Sequence, residues 1–256
     1  MPTPPARQRV RESFERAAAS YDDAAVLQRQ VCDSLLERLA TRTAPASVLD
    51  AGCGTGYGAR LLRARWPEAV LVAVDFAPAM LALARLDADL CLAGDIEALP
   101  CTDASFNVWW SNLTVQWCDA QLVFREAWRV LRPGGQIALS TLGPATFAEL
   151  RAAFAGVDRH RHTLSFSEPA AVEQALTDAG FSHVRLYRET MRLHYPDLKT
   201  LLRAVKDIGA NSVGEGARSG LLGRAAWQRV QAAYEEFRTN AGLPASYDVI
   251  LAYARK

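Results

Sequence analysis

The stretch Val48-Leu49-Asp50-Ala51-Gly52-Cys53-Gly54-Thr55-Gly56 constrains this chain more than any other. A short apolar run closed by a carboxylate reads as a buried strand. The D-x-G-x-G-x-G bend after it lacks β-carbons where the main chain must pass close to a ligand. Such a bend belongs to the strand–turn–helix unit that opens a parallel α/β sheet. The rest of the sequence keeps that rhythm, with further strands expected at 70–75, 89–92, 105–110, 136–141, 184–195 and 247–254. Helices are expected to Trp66, at 78–86, at 121–131 and up to about Gly180, and Arg132-Pro133-Gly134-Gly135 is expected to stop one helix and launch the fifth strand.

Two segments lie outside this alternation. Residues 10–39 carry Val26, Leu27, Val31, Leu35, Leu36 and Leu39 at helical spacing, within a helical preamble spanning 1–45. Between the last two strands, an insert of helical pattern covers about 196–245, where a substrate lid would be economical. The expectation is one domain, 1–256, on a mostly parallel seven-stranded, Rossmann-like α/β sheet with helices on both faces.

Charge and composition exclude more than they assign. With 29 basic against 28 acidic residues, the overall field gives no reason to expect nucleic acid. Cys32, Cys53, Cys91, Cys101 and Cys118 form neither a C-x-x-C pair nor a metal-ligand pattern with histidine, so a reduced, metal-free protein is expected. No run of about eighteen apolar residues and no signal-peptide core occurs, which makes a membrane location unexpected and the cytoplasm the default.

The loop alone leaves the ligand open, because Gly54-x-Gly56-x-x-Ala59 also meets a dinucleotide fingerprint. Three carboxylates at successive strand ends favour S-adenosylmethionine (AdoMet). Asp75 can accept both ribose hydroxyls, as it could in an NAD enzyme. Asp95, followed by Ile96, offers an acceptor for an adenine amino group beside an apolar wall. Asp50 precedes the first glycine, where it can meet a cationic methionine end and would repel a pyrophosphate. Taken singly, each of these aspartates has a bland alternative as a helix cap or turn residue. Gly52, Gly54, Gly56, Phe76, Met80 and Asn112 complete the expected cofactor set.

More specific segments run nearly end to end. They are Ser13-Phe14-Glu15-Arg16-Ala17-Ala18-Ala19-Ser20-Tyr21-Asp22, Ser111-Asn112-Leu113-Thr114-Val115-Gln116-Trp117-Cys118, Ser140-Thr141-Leu142-Gly143-Pro144 with Glu149-Leu150, Leu202-Arg203-Ala204-Val205-Lys206-Asp207-Ile208-Gly209-Ala210, and Ser246-Tyr247-Asp248-Val249. In these the chain resembles the malonyl-acyl-carrier-protein O-methyltransferases of biotin synthesis (the BioC type), within the class I AdoMet-dependent methyltransferases. The resemblance implies esterification of the free carboxylate of malonyl carried on an acyl carrier protein or on CoA. A carboxylate is already ionised at neutral pH, so no general base is expected.

What remains to be supplied is a cover, an orienting cation and a basic rim for an acidic carrier. Tyr21 is the expected cover, Arg16 the expected partner of the methionine carboxylate, and Arg203, Lys206 and Thr141 the expected substrate-side residues. Lys206 stands out because Lys199, Lys206 and Lys256 are the only lysines. The family's Asn-Arg-Phe reads Leu164-Ser165-Phe166 here, which would move a substrate-holding arginine to Arg159 or Arg161.

Overall fold

The computed structural model describes every residue except 1, 3, 42, 158 and 211–221. Helices α1 (Arg7–Ala24) and α2 (Val26–Arg38) precede the sheet, broken apart at Ala25 where sequence periodicity alone suggests one run. The alternating unit follows as β1 (Ser47–Ala51), α3 (Tyr57–Arg65), β2 (Val70–Asp75), α4 (Pro78–Ala84), β3 (Leu90–Ala93) and β4 (Phe106–Ser111). It continues with α5 (Ala120–Val130), β5 (Leu131–Leu142), α6 (Ala148–Ala155), α7 (Pro169–Asp178) and β6 (Ser182–Tyr195). Helices α8 (Leu198–Asp207) and α9 (Arg224–Glu235) then lead to β7 (Leu243–Arg255).

The strands form one seven-stranded sheet in the order β3-β2-β1-β4-β5-β7-β6. β1 to β5 pair in parallel, whereas β7 is antiparallel to both β5 and β6. The chain steps outward from β1 to β3 and then returns to the other side of β1 at β4. Strand order therefore reverses beside β1, and a crevice opens beyond the carboxyl ends of these strands.

Alternation along the strands divides the core. Val48 and Trp110 face the side covered by α2, α3, α6, α8 and α9, while Leu49 and Trp109 face the side covered by α5 and α7. Both indoles are fully buried, and neither Nε1 finds a hydrogen-bond partner. Removing roughly 200 Å² of indole from water is worth about 5 kcal/mol. An unmet donor costs about 1–3 kcal/mol, so burial wins.

Two expectations are revised. β5 starts at Leu131 and runs through the Pro133-Gly134-Gly135 segment, because the end of β7 pairs there: Gly134 N–H donates to Lys256 O at 3.1 Å and Lys256 N–H to Gly135 O at 2.9 Å. The insert between the last strands is helical at α8 and α9, but β7 begins at Leu243, and 211–221 lie outside the described residues. No described helix is long and apolar enough to cross a membrane.

Candidate active site

The bend after β1 is held on its neighbour. Gly52 and Cys53 N–H donate to Val74 O at 2.7 and 3.1 Å, and Gly54 N–H donates to Asp75 Oδ2 at 2.9 Å. Gly52, Gly54 and Gly56 all have positive φ, at 76°, 54° and 92°, so the bend requires glycine. Gly52 and Gly54 line the crevice. Gly56 does not; it starts α3, and a β-carbon there would stand 2.9 Å from Ala84 Cα.

Asp50, Asp75 and Asp95 all line this one cavity, with Phe76, Met80, Ile96 and Asn112. Burial pushes Asp50 up to about 7, helped by the charge of Asp75 and opposed by the Ala59 N–H at the start of α3. Burial pushes Asp75 up to about 6, opposed by N–H groups of Ala77, Gly54 and Phe76. Asp50 Oδ2 is buried and without a hydrogen-bond partner. An ideal β-carbon on Gly58 would lie 3.0 Å from both Asp50 Oδ2 and Trp110 Nε1, which leaves an unmet acceptor and an unmet donor around one small space.

The charge of the lining residues fits AdoMet. Asp22 and Glu97 join the three aspartates in the wall, against Arg7 and Arg29 as the only cations among its described residues. That excess of carboxylate suits an ammonium and a sulfonium and opposes a pyrophosphate, which tells against the dinucleotide alternative. Asp75 would hold the ribose, Asp95 and Ile96 the adenine, and Asp50 with its Trp110 neighbour the amino-acid end.

The preamble closes this cavity. Arg7, Val10, Phe14 and Tyr21 of α1 share one helical face and all line it. Arg7 at the start of α1 pairs with Asp95 at 2.8 Å and also with Glu97. Phe14 meets Trp117 edge-on at 5.6 Å and lies 6.5 Å from both Tyr21 and Phe76. Burial, then Asp75, raises the Tyr21 phenol above its ordinary range, so its hydroxyl stays protonated.

A second cavity shares Phe14, Tyr21, Gln28, Leu113 and Trp117 with the first, so Tyr21 stands between them. Its remaining wall is largely apolar, from Leu142, Phe147, Leu150, Leu202, Val205 and Tyr247, with Gln116, His162 and Thr163 as polar groups. No carboxylate appears among its described lining residues.

The resembling segments acquire physical roles around this second cavity. Glu149 Oε2 accepts the Ser246 N–H at 3.2 Å while Oε1 bonds the Ser246 hydroxyl, which sets Tyr247 beside Phe147 with ring centres 4.9 Å apart. Asp248 Oδ2 accepts Ala145 N–H at 3.0 Å, and Arg188 grips Asp248 through both oxygens at 2.6 and 2.8 Å. Gly209, at φ 73°, follows α8 where a β-carbon would lie 3.1 Å from Phe14 Cδ1, so glycine lets α1 and α8 touch.

Several expected site residues are not brought in. Arg16 is exposed, 3.4 Å from Ser13 Oγ, because the cavity-facing side of α1 is the Val10–Phe14–Tyr21 side; Arg29 of α2 lines the cavity instead. Arg203 and Lys206 are exposed and absent from both walls, since the apolar stripe of α8 faces inward and turns them to solvent. Thr141 is buried and lines neither cavity, donating to Gln116 Oε1 at 3.3 Å. Arg159 and Arg161 are exposed, whereas His162 lines the second cavity. Asn112 lines the crevice, but its amide donates to Gln28 O at 3.0 Å and accepts from Ser140 Oγ at 2.7 Å.

Arg7, Asp22, Arg29 and Glu97 were missed. Arg7 is recoverable from its heptad spacing to Phe14 and Tyr21, and Asp22 closes the first resembling segment, but nothing local marks Arg29 or Glu97. The five thiols are free, and no described cluster of His, Cys, Asp and Glu could hold a metal.

Comparison with known proteins identifies the family and the fold. The methyltransferase domain family matches residues 49–139. A malonyl-[acyl-carrier protein] O-methyltransferase from Dechloromonas aromatica is 53% identical over 255 residues, covering 99% of this chain and 96% of that protein. The biotin biosynthesis bifunctional protein BioHC of Teredinibacter turnerae is 40% identical, covering 98% of this chain and 47% of that protein. Among solved structures, YcgJ from Bacillus subtilis shares the fold at TM-score 0.61 and 16% identity, covering 89% of this chain and 98% of that one.

Proposed function

This chain belongs to the malonyl-[acyl-carrier protein] O-methyltransferase family, and from that premise we propose that it esterifies the free carboxylate of malonyl held on an acyl carrier protein, in the pimeloyl branch of biotin synthesis. It is an AdoMet-dependent methyltransferase. When bound, AdoMet supplies a methyl group made electrophilic by a positively charged sulfur.

The chain's own residues have three tasks. Asp50, Asp75 and Asp95 bind and orient one side of the reaction, and their charge favours a cationic partner. Tyr21, Phe14 and Trp117 exclude water at the junction of the two cavities, where opposite charges come together and cancel. The acyl-side walls hold the acceptor carboxylate in line, through Gln28, Gln116, His162 and Thr163.

One observation carries the reading: no carboxylate lines the acyl-side cavity among the described residues. An ionised acid needs no group to take a proton and is spared like-charge repulsion there, whereas a cationic acceptor would meet no carboxylate. We read the whole chain, 1–256, as one catalytic unit working in the cytoplasm, with no nucleic-acid or membrane partner. Mass spectrometry tests the substrate: purified protein with AdoMet adds one methyl to malonyl-acyl carrier protein, and an unesterified product overturns the assignment. Growth without biotin of a strain lacking its malonyl methyltransferase is the corresponding test in cells.

A further inference from the structure

Helix α8 is the most sharply amphipathic of the described helices, and its two faces point to two different tasks. Leu198 and Leu201 are buried, and Leu202, Val205 and Ile208 wall the acyl-side cavity. On the opposite side Lys199, Arg203 and Lys206 are all exposed, at spacings of four and three residues that place them on one stripe. None of the three forms a salt bridge with a described carboxylate. Asp197 is engaged as the helix N-cap by Thr200 N–H at 2.7 Å, the main reason its carboxyl is held low, with the charge of Lys199 adding least. A lysine near a helix carboxyl end can be explained by the helix dipole, which accounts for Lys206 but not for Lys199 in the first turn. Composition does not explain the stripe either, since two of the chain's three lysines are here.

We propose that the outer face of α8 is where the acyl carrier docks, Lys199, Arg203 and Lys206 meeting an acidic protein surface. This rests on the reading that the acyl group arrives on a carrier protein. The stripe runs about 10 Å along the helix and lies about one helix diameter, 10–12 Å, from the cavity. A carrier seated there delivers a tethered thioester around the helix into the chamber that the same helix walls. With the whole chain at a formal charge of +1, the attraction comes from this local line of cations and not from the overall field. The two cations expected at the reacting centre thus act at the entrance, on the carrier, and not on the malonyl carboxylate.

The test compares wild type with the triple variant Lys199→Glu, Arg203→Glu, Lys206→Glu, using malonyl-acyl carrier protein and malonyl-pantetheine, which has no protein to dock. The expected result is a fall of about tenfold or more in kcat/KM for the carrier substrate, carried by KM, with malonyl-pantetheine turnover unchanged. Equal losses on both substrates, or none on either, overturn the proposal. Binding of holo-acyl carrier protein, measured by biolayer interferometry without turnover, separates this from the proposed activity. If wild type methylates neither thioester, the activity reading fails; docking then stands if the variant loses carrier binding and falls if binding is unchanged. Equal binding of wild type to phosphatidylglycerol vesicles and to the carrier would also overturn it.

Discussion

Asp50 and Asp75 end adjacent strands and face one cavity, with burial raising both above the ordinary carboxyl value of 3.8. A carboxyl raised on folding contributes stability that is fully present below its unfolded pKa and lost as pH rises through the folded one. For these two groups the loss falls between about pH 4 and 7, so the ligand-free protein is weakened at pH 8 relative to pH 5.5. A cationic ligand reverses that penalty. The AdoMet-induced rise in Tm is therefore expected to be larger at pH 8 than at pH 5.5, and a rise that shrinks with pH contradicts the charge argument. Asp50→Asn removes the titration: ligand-free Tm at pH 8 should increase while AdoMet affinity drops. Asp75→Ala should weaken AdoMet binding at least about a hundredfold by calorimetry. It also orphans the Gly54 and Ala77 N–H groups, which costs about 1–3 kcal/mol each and should lower Tm. Unchanged affinity would refute the ribose assignment.

Helix α1 is the element that turns an open crevice into an enclosed site. Arg7 ties its start to Asp95 and Glu97, and Gly209 lets its middle rest against the end of α8, where Ser20 Oγ also lies 3.2 Å from Asp207 O. Arg7→Ala should raise KM for AdoMet several-fold and quicken proteolysis within α1, with the sheet unaffected by circular dichroism; an unaltered cleavage rate would mean that the ion pair does not hold the helix. Gly209→Ala meets both a positive φ and the Phe14 contact. About 1 kcal/mol for the backbone alone corresponds to about 2–4 °C in Tm at this chain length. A Tm equal to wild type would show that α1 and α8 do not depend on this approach.

Over the whole molecule, the two cavities share Phe14 and Tyr21 of α1, Gln28 of α2, and Leu113 and Trp117 of the β4–α5 connection, so filling one orders a wall of the other. AdoMet at a hundred times its Kd should stabilise the protein by about 2.7 kcal/mol. That is a Tm rise of roughly 5–10 °C. The acyl thioester should bind more tightly once the cofactor side is filled with S-adenosylhomocysteine than to protein alone. Calorimetry in the two orders of addition measures this, and equal affinities would mean that the shared wall transmits nothing.

The residues of the bend, Asp50 to Gly56, and the carboxylates closing β1 and β2 were legible because each is a local demand: glycine at positive φ, a charge at a strand end, apolar alternation between. Asp95, Ile96 and the strand rhythm were legible for the same reason. The direction of Arg16, Arg203 and Lys206 was not, because a helix carries several faces and only packing selects the one that turns inward. Arg29 and Asp22 reached the cofactor side through the seating of α1 and α2 on the sheet, and the extension of β5 through Pro133 came from the end of β7. Sequence by itself determined which chemistry can occur at the strand ends, since those constraints lie within a few bonds. Tertiary structure alone decided which cations face the cavity and which face a partner, since that depends on contacts between segments far apart in the chain.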